Sequence, residues 1–583
     1  MRNAAVFLLL TAPCFCGTAA TDWRDVRNGH VIPDEGYCDQ PYVVVLYDGT
    51  WLCTMTTGAG EEGAAKQHIV STRSADQGKS WGPLVDIEPA GPPEASWVTP
   101  LLTPGGRVYA FYTYNAENLR SVKLSNGGET KRVDTLGQFT FKYSDDGGLS
   151  WSGERYAIPV RAFEIDRENV YGGTVRFMWS VAKPLIVGND VYICLSKVGN
   201  FGQGFIERSE GVILRSANIL TERDPAKIVW NTLPDGDVGL RAPAGPIAEE
   251  QNVTFLVDST LYCTYRTTQG HPCHAYSRDG GKTWTPPAYM TYTPGGRLVK
   301  HPRAANFVRR FGNGKYLYWF HNHGGKTYDG RNPVWICGGV EKDGAIYWSQ
   351  PEILLYDVDP KTRMSYPDFI EDKGKFFVAE TQKSVARVHE IPIDLLDGMW
   401  SHQDEQAGQR LDPALDIFGD ALNAAFVMPR LPALGQGNGF TIELRLNLTD
   451  ATAEETLLDT RGESGRGLVL AITRGRALAF TLADGAAIET CESDPITSSE
   501  GVHRVTVIVD GGPRIVMFAI DGALGDGGDV RPQGWYRIGD AISDVNGKGE
   551  VSLNRAANAW IQALRVYSRT LRVNEAIENQ HAG

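Results

Sequence analysis

A tight-turn motif that recurs at a regular interval constrains the fold of this chain more than any other feature. The pattern Ser-x-Asp-x-Gly-x-Ser/Thr-Trp occurs at 74–81, 144–151 and 277–284, and a degraded copy lies at 343–348. In such a turn the Ser and Asp side chains bond to backbone amides, Gly takes the positive-φ position and Trp anchors the hairpin. The Asp positions are 70, 133 and 64 residues apart, which indicates a period of about 67 with one copy lost. Repeats of this length in an all-β pattern favour a propeller.

Six hairpin segments of one design fill the first two thirds of the chain. Each has an apolar strand, a short polar turn and a second apolar strand, and they cover 41–55, 99–114, 183–197, 252–266, 304–320 and 367–380. Turns of the Asp-Gly, Gly-Gly, Asn-Asp and Asn-Gly type between such strands are hairpin signals. Each segment is predicted to form the two inner strands of a blade, with the Ser-Asp-Gly-Trp turn after the third strand. Blade three, 160–245, has no such turn.

The pattern changes near residue 412. Alternating strands without the Trp turn follow at 440–448, 467–472, 476–482, 504–509, 514–522 and 561–571, and they predict an antiparallel β-sandwich of the jelly-roll kind. The polar stretch 399–411 predicts a linker. The predicted fold is therefore all-β, with a six-bladed propeller over 21–398 and a sandwich over 412–583.

The first 20 residues, the net charge and the cysteines limit the class of protein that this chain can be. Residues 1–20 predict a secretory signal peptide, so the expected location is secreted, periplasmic or at the cell surface, and no later stretch is apolar enough for a membrane helix. The seven later cysteines lack metal-ligand spacing; most are expected to be buried, with one or two disulfides possible. A net charge of −13 does not indicate the basic surface of a nucleic-acid-binding protein. An acidic ligand would need a local cationic pocket.

The starts of the six predicted inner strands are polar where a structural core would be apolar. In a propeller these starts surround one pocket at the end of the central channel. They are Asp39-Gln40-Pro41, Trp97 to Pro100, Lys183-Pro184, Glu249-Glu250-Gln251, His301-Pro302-Arg303 and Tyr366-Pro367-Asp368. Charged and hydroxyl groups that converge from separate blades predict a binding site there.

The secretory leader, the three Asp-box turns and the six blades resemble the sialidase superfamily, over residues 30–400. The stretch 561–580 resembles the closing strand and helix of laminin-G or concanavalin-like lectin domains. The first resemblance implies release of terminal sialic acid without any cofactor, with a Tyr nucleophile, a Glu that activates it, three arginines for the substrate carboxylate and an Asp acid from the first blade. It also implies sialylated glycans or mucin-like glycoproteins as partners. The sandwich would tether such substrates or serve as a rigid cap.

Five residues match the family motif position by position. Glu250 precedes the first strand of blade four and Arg266 ends the second, as the family's nucleophile partner and a carboxylate ligand do. Arg331 matches the arginine of the fifth blade. Tyr366 and Glu380 match the nucleophile and the supporting carboxylate of the sixth.

These residue types suit the implied chemistry. A carboxylate nucleophile would be repelled by the carboxylate of the substrate, whereas a neutral phenol is not. With a pKa of about 10 the phenol needs a base beside it. Guanidinium groups match a carboxylate in bidentate geometry.

The sequence departs from the family at two places. Where the family has Arg-Ile-Pro, this chain has Asp39-Gln40-Pro41, so one arginine is missing and Glu380 lacks its usual partner. Arg303 or Lys183 could replace that arginine, and Arg303 is preferred because it lies at a strand start.

The second departure concerns the acid. The loop before the first Asp box contains no Asp, and Glu62 is the preferred acid, with Glu61, Asp39 and His68 as alternatives. Asp39, Gln40 and His68 are also expected to face the substrate. His321 and His323 are assigned to the pocket rim, because their spacing without nearby carboxylates is weak evidence for a metal.

Three functions remain open from the sequence. The first is a retaining exo-α-sialidase with Tyr366, Glu250 and Glu62 as catalytic residues and Arg266, Arg331 and Arg303 as carboxylate ligands. The second is a hydrolase or lyase for another acidic sugar, which the missing arginine suggests. The third is a non-catalytic glycan-binding propeller, because the Asp box performs no chemistry.

Overall fold

A computed structural model describes residues 21–202, 205–401, 411–449, 454–497, 501–554 and 559–582. The predicted signal peptide, 1–20, and most of the predicted linker lie outside these residues.

Six antiparallel sheets follow one another along the first 391 residues, each with four main strands. The first strand of each sheet contacts the first strand of a neighbouring sheet, so these six strands line the axis of the ring. In chain order the four strands of each blade are as follows: Tyr37–Val45, Trp51–Gly58, His68–Ser74 and Val85–Asp86; Ala95–Leu102, Val108–Tyr114, Gln138–Ser144 and Tyr156–Ala157; Leu185–Val187, Asp190–Val198, Ser209–Ser216 and Asn231–Leu233; Glu249–Phe255, Leu261–Arg266, Cys273–Ser277 and Ala288–Tyr289; Phe307–Arg310, Tyr316–Phe320, Val334–Lys342 and Ala345–Trp348; Ser365–Asp372, Lys375–Thr381, Ala386–Ile391 and His30–Ile32.

The ring is closed by the beginning of the chain. The outermost strand of blade six is His30–Ile32, which pairs antiparallel with Ala386–Ile391. Additional short strands pair with blade three at Phe177–Trp179 and with blade five at Glu352–Leu355. Two small hairpins, Val122–Lys123 with Glu129–Thr130 and Phe201–Gly202 with Phe205–Ile206, extend from blades two and three.

The Asp-box turns follow the third strands, as the repeat predicts. In the first box, Ser74 Oγ donates to Asp76 Oδ1 at 2.8 Å and accepts from Gly78 N at 2.8 Å. Asp76 Oδ1 also accepts from the amide of Ser80 at 2.9 Å. The same bonds recur in the boxes at 144–151 and 277–284. The turn is therefore a self-contained clip on the outer edge of the blade, away from the axis.

The remaining strands form a sandwich of two sheets. The larger sheet contains Leu415–Phe418, Phe440–Asn447, Val502–Asp510, Ile515–Ile520, Ala523–Leu524, Tyr536–Arg537 and Ile561–Tyr567, and the smaller one Glu455–Asp459, Gly467–Ile472, Leu478–Asp484 and Ala487–Glu492. A separate pair joins Phe426–Val427 to Glu550–Val551. Their apolar faces enclose a core of buried Leu, Ile, Val and Phe side chains. The predicted fold class, a six-bladed propeller followed by a sandwich, is confirmed.

Two helices and a loop join the sandwich to the propeller. The helix Ile393–Ser401 includes the first three residues of the predicted linker, and it contacts the final helix, Val573–Ala582. A short helix, Glu164–Arg167, and 3-10 turns at Val26–Asn28, Pro225–Lys227, Gly419–Asn423 and Leu434–Gln436 complete the structure. No helix among the described residues is both long and apolar enough to cross a membrane.

The sandwich segment 523–537 lies against the loop that joins the second and third strands of blade five. Trp535 Nε1 donates to the carbonyl of Asn322 at 3.0 Å, and Arg537 Nη2 donates to the carbonyl of Asn332 at 2.5 Å. Lys300 Nζ donates to the carbonyls of Asp526 at 2.9 Å and Arg531 at 2.8 Å. These bonds hold both ends of the segment 322–332 between the two domains.

The seven cysteines of the described chain are all buried and free. The one or two disulfides that the sequence left possible are therefore not formed among them. Each cysteine lies on a strand and fills the core as a small apolar side chain.

Candidate functional site

Backbone irregularities at the entrances of four inner strands aim polar side chains at one mouth of the ring. The residues Gln40, Trp97, Glu250 and Tyr366 have φ of 55°, 65°, 58° and 45°. In each case the pairing register shifts beside the residue, as in a β-bulge. A bulge turns a side chain out of the regular alternation of the strand, and non-Gly residues with positive φ persist only where the surroundings hold them. Four blades carry this strain at equivalent positions.

Tyr366 and Glu250 meet at this mouth. The Tyr366 hydroxyl donates to Glu250 Oε1 at 2.8 Å, and both side chains are buried. Burial raises the pKa of Glu250, against the opposing effect of Arg266. Burial, together with the charge of Glu250, raises the pKa of the Tyr366 phenol well above its ordinary value. The raised pKa of the carboxylate makes it a stronger base for the phenolic proton.

Arg266 and Arg303 are held by a second carboxylate, Glu249. Arg266 reaches Glu249 Oε2 through Nε at 2.8 Å and Glu250 Oε2 through Nη1 at 2.8 Å. Arg303 contacts both oxygens of Glu249, with Nη2 to Oε1 at 2.6 Å and Nε to Oε2 at 3.2 Å. Burial alone would raise the pKa of Glu249, but the two guanidinium groups outweigh it and lower that pKa. Arg303 is therefore engaged in a bidentate pair.

Arg331 lacks a carboxylate partner among the described residues. It donates from Nη1 to Ser365 Oγ at 2.6 Å and from Nε to the carbonyl of Tyr328 at 3.0 Å, and it is 2% exposed. No Asp or Glu in the described part of the chain lies within ion-pair distance of it. Burial lowers its pKa, with the charge of Arg363 and Arg266 adding to that effect. An uncompensated buried cation favours an anionic ligand.

These groups surround a cavity of about 320 Å³. Its lining combines charged and phenolic side chains with apolar and aromatic ones. The lining residues are Glu62, Trp97, Arg132, Thr135, Trp179, Phe205, Ile206, Glu250, Arg266, Tyr328, Arg331, Arg363 and Tyr366. Trp97 Nε1, Thr135 Oγ1 and the Tyr328 hydroxyl are buried, and none of the three has a hydrogen-bond partner in the described chain. Polar atoms left in this way are free to bond a ligand.

A lysine that the sequence analysis did not single out joins two carboxylates at the edge of the cavity. Lys383 Nζ lies 2.6 Å from Asp39 Oδ2 and 3.2 Å from Glu62 Oε2. Glu62 also accepts from Arg132 Nη2 at 2.7 Å. Burial would raise the pKa of Glu62, but Lys383 and Arg132 outweigh it and lower that pKa. Burial raises the pKa of Asp39, against Lys383. The two carboxyls therefore differ in their affinity for a proton.

The remaining predicted residues lie outside the cavity lining. Gln40 Nε2 donates to the carbonyl of Ser180 at 2.9 Å. His68 contacts Glu35 Oε2 at 2.9 Å and the carbonyl of Glu88 at 3.0 Å, on the outer side of blade one. Glu380 is fully buried, and Gln382 Nε2, at 2.9 Å, is its one hydrogen-bond donor among the residues that the structure describes.

The alternative acid Glu61 and the rim histidines are also placed. Glu61 is exposed. His321 and His323 are buried, and burial lowers the pKa of both. Within the described chain no three His, Cys, Asp or Glu side chains come together in a way that could hold a metal ion.

The sequence analysis gave no role to several members of the site, among them Glu249, Arg363 and Lys383. Glu249 had a signal, because it adjoins Glu250 at a polar strand start, and both carboxylates contact Arg266. Arg363 lies three residues before Tyr366, in a loop with no pattern of its own. Lys383 is 344 positions from Asp39, and nothing local marks it.

The comparisons with known proteins concern the repeat and the fold. The BNR/Asp-box repeat family matches residues 275–286, which include the third turn. No protein with a curated description matches this chain.

Solved structures of sialidases are similar to the chain over much of its length. A Trypanosoma rangeli sialidase mutant displaying trans-sialidase activity is 12% identical, with 95% of this chain and 97% of that chain covered and a TM-score of 0.44. A mutant of the NanB sialidase from Streptococcus pneumoniae is 12% identical, with 62% and 70% covered and a TM-score of 0.44. The intramolecular trans-sialidase from Ruminococcus gnavus is 14% identical, with 64% and 99% covered and a TM-score of 0.44. The chain carries an Asp-box repeat and a six-bladed propeller.

Proposed function

We propose that this protein is a retaining exo-α-sialidase that releases terminal sialic acid from glycoconjugates. The observation that carries the proposal is the buried Tyr366–Glu250 pair, 2.8 Å apart at a cavity where Arg331 has no carboxylate partner. A phenol with its own base beside an unpaired guanidinium suits an anionic sugar whose reacting carbon bears a carboxylate.

The first half of the proposed reaction forms a glycosyl–tyrosine adduct. The Tyr366 hydroxyl gives its proton to Glu250, and the phenolic oxygen bonds to the anomeric carbon as the bond to the leaving oxygen breaks. The leaving oxygen takes a proton from the acid. In the second half the deprotonated acid removes a proton from water, whose oxygen displaces Tyr366. The phenolate then recovers its proton from Glu250, so two inversions retain the configuration.

The substrate carboxylate is assigned to Arg331, the free edge of Arg266 and the exposed Arg363 at the rim. Arg266 keeps Nη2 available because its other two nitrogens hold Glu249 and Glu250. Arg303 supports Glu249 instead of the ligand. Two buried guanidinium groups are the donors that a carboxylate prefers.

Glu62 is assigned as the acid, because it lines the cavity and Asp39 does not. Lys383 and Arg132 favour the ionised form of Glu62 and lower its pKa, whereas burial raises the pKa of Asp39. A substrate that engages Lys383 or Arg132 would release Glu62 to take up the proton. Glu62→Gln should impair substrates with poor leaving groups more than activated aryl glycosides, and Asp39→Asn should not. The reverse pattern would assign the acid to Asp39.

A second candidate is a hydrolase or lyase for another acidic sugar. It is favoured by the Asp39–Lys383 pair, which stands at the first-blade position where the resemblance places an arginine. We also propose that the protein is exported and that its leader is removed, and that the sandwich orients glycoprotein substrates.

The decisive experiment offers a fluorogenic α-sialoside to the wild type and to Tyr366→Phe. The variant should lose at least about 1000-fold in kcat, since it loses both the nucleophile and the proton that Glu250 accepts. Tyr276→Phe is the matched control, because Tyr276 lies on an outer strand of blade four. Equal turnover of Tyr366→Phe and the wild type would end the proposal. Turnover of a uronate polymer but not of the sialoside would select the second candidate.

A further inference from the structure

Lys383 lies in the tight turn between the second and third strands of blade six, and its position is fixed by two blades. Its amide donates to Thr381 Oγ1 at 2.8 Å, and its carbonyl accepts from Cys38 N, of blade one, at 2.9 Å. Its backbone has a φ of 75°. A non-Gly residue in this conformation is held there by its surroundings, so the side chain starts from a defined point.

The ammonium of Lys383 lies above the face of the proposed nucleophile. Nζ is 4.4 Å from the centroid of the Tyr366 ring, and it lies 2.6 Å from Asp39 Oδ2 and 3.2 Å from Glu62 Oε2. The rings of Trp97 and Tyr37 lie further away, at 5.9 Å and 6.0 Å. The Lys383 side chain is only 15% exposed, so water screens these contacts weakly.

We infer that the Lys383 ammonium is an electrostatic catalytic group, which stabilises the negative charge that develops on Tyr366 when its proton passes to Glu250. The inference rests on the proposed function and adds a residue to it. A neutral phenol attracts the cation only through the ring quadrupole. Once the phenol loses its proton, the cation faces a negatively charged phenolate instead of a neutral ring. An interaction that strengthens as the reaction proceeds lowers the barrier.

The geometry also separates this role from simple charge balance. If Lys383 served only to neutralise Asp39 and Glu62, it would need to reach the two carboxylates and nothing else. Its position over the ring places one cation among three groups that gain or hold negative charge. The expected contribution to kcat is about 100-fold, the order of magnitude for opposite charges a few ångströms apart near a protein surface.

The first experiment measures the ionisation of Tyr366 without any substrate. A trifluorinated tyrosine at position 366 lowers the titration range of the phenol, and its ¹⁹F shift reports deprotonation. The comparison is between Asp39→Asn and the double variant Asp39→Asn/Lys383→Met. The double variant loses one charge of each sign, so it keeps the net local charge of the wild type. Loss of the ammonium should raise the measured pKa by about two units. Asp39→Asn/Lys383→Arg should stay near Asp39→Asn.

The second experiment follows turnover of the fluorogenic sialoside by the single variants Lys383→Met and Lys383→Arg. Lys383→Met should lower kcat by about 100-fold and change KM only a few-fold, and Lys383→Arg should restore part of kcat. A measured Tyr366 pKa that does not rise on loss of the ammonium, or a loss confined to KM, would overturn the inference. If the wild type turns over no sialoside, the proposed function fails, while the ¹⁹F titration still decides the role of Lys383.

Discussion

Glu380, which lies outside the cavity lining, offers a test of the energetics of a buried carboxyl group through stability alone. It lies on the second strand of blade six, fully buried, and Gln382 donates to Oε1, while Oε2 has no partner among the described residues. Burial raises its pKa from 4.5 to about 8, against the opposing effects of the Gln382 hydrogen bond and the charge of Arg387. Between these two values the folded protein holds a proton that the unfolded chain has lost.

The sign of the effect follows from proton linkage. Because the folded state binds more protons, the free energy of unfolding falls as pH rises from 4.5 to about 8. Each pH unit costs about 1.4 kcal/mol, so the penalty is absent below pH 4.5, about 2 kcal/mol at pH 6 and about 5 kcal/mol above pH 8. Glu380→Gln removes the titrating group. Its stability relative to the wild type should therefore be near zero at low pH and rise steadily up to pH 8.

Urea unfolding followed by tryptophan fluorescence, at four pH values between 4.5 and 9, measures this difference in the propeller transition. Glu390→Gln is the matched control, since Glu390 lies on the next strand but is exposed and pairs with Lys375. Its effect should stay within about 0.5 kcal/mol at every pH. Parallel curves for Glu380→Gln and the wild type would mean that Glu380 is ionised in the fold, and the reasoning would be refuted.

Two further outcomes are expected. Arg331→Ala should raise KM for a sialoside about 10- to 100-fold. The variant and the wild type should bind equally well to a ligand whose carboxylate has been reduced to an alcohol. A fall in kcat alone would contradict a role for Arg331 in binding the substrate carboxylate. Arg537→Ala removes the bond to the Asn332 carbonyl, so hydrogen exchange should quicken in 322–332 and KM should rise a few-fold. Arg569→Ala, which loses a surface pair with Glu575 and a bond to the adjacent Thr570 carbonyl, should change neither.

The fold could be predicted because its signals are local. Each blade carries its own hairpin turn and apolar strands, and three blades carry an Asp box whose hydrogen bonds span only a few residues. Tyr366, Glu250 and Arg266 could be named because the resemblance to the sialidase superfamily places its site residues at fixed positions relative to those strands. The positive φ and the register shifts at Glu250 and Tyr366 have no counterpart in the sequence pattern, since they depend on neighbouring blades.

The charge pairing within the site could not be predicted in this way. Arg303 was expected to bind the substrate, but Glu249 holds it with both oxygens. Lys383 meets Asp39 and Glu62 only after the ring has closed, because blade six lies beside blade one. Which cation pairs with which carboxylate depends on distances of a few ångströms between distant segments. No spacing along the chain encodes them.

The pairing of His30–Ile32 with Ala386–Ile391 has a consequence for biosynthesis. The opening strand must wait, unpaired, while the ribosome makes five further blades and the hairpin that will receive it. Until then blade six lacks its outer edge, and that edge is a template for another chain. A deletion that removes only these three N-terminal residues should therefore promote self-association, although it leaves every residue of the cavity in place.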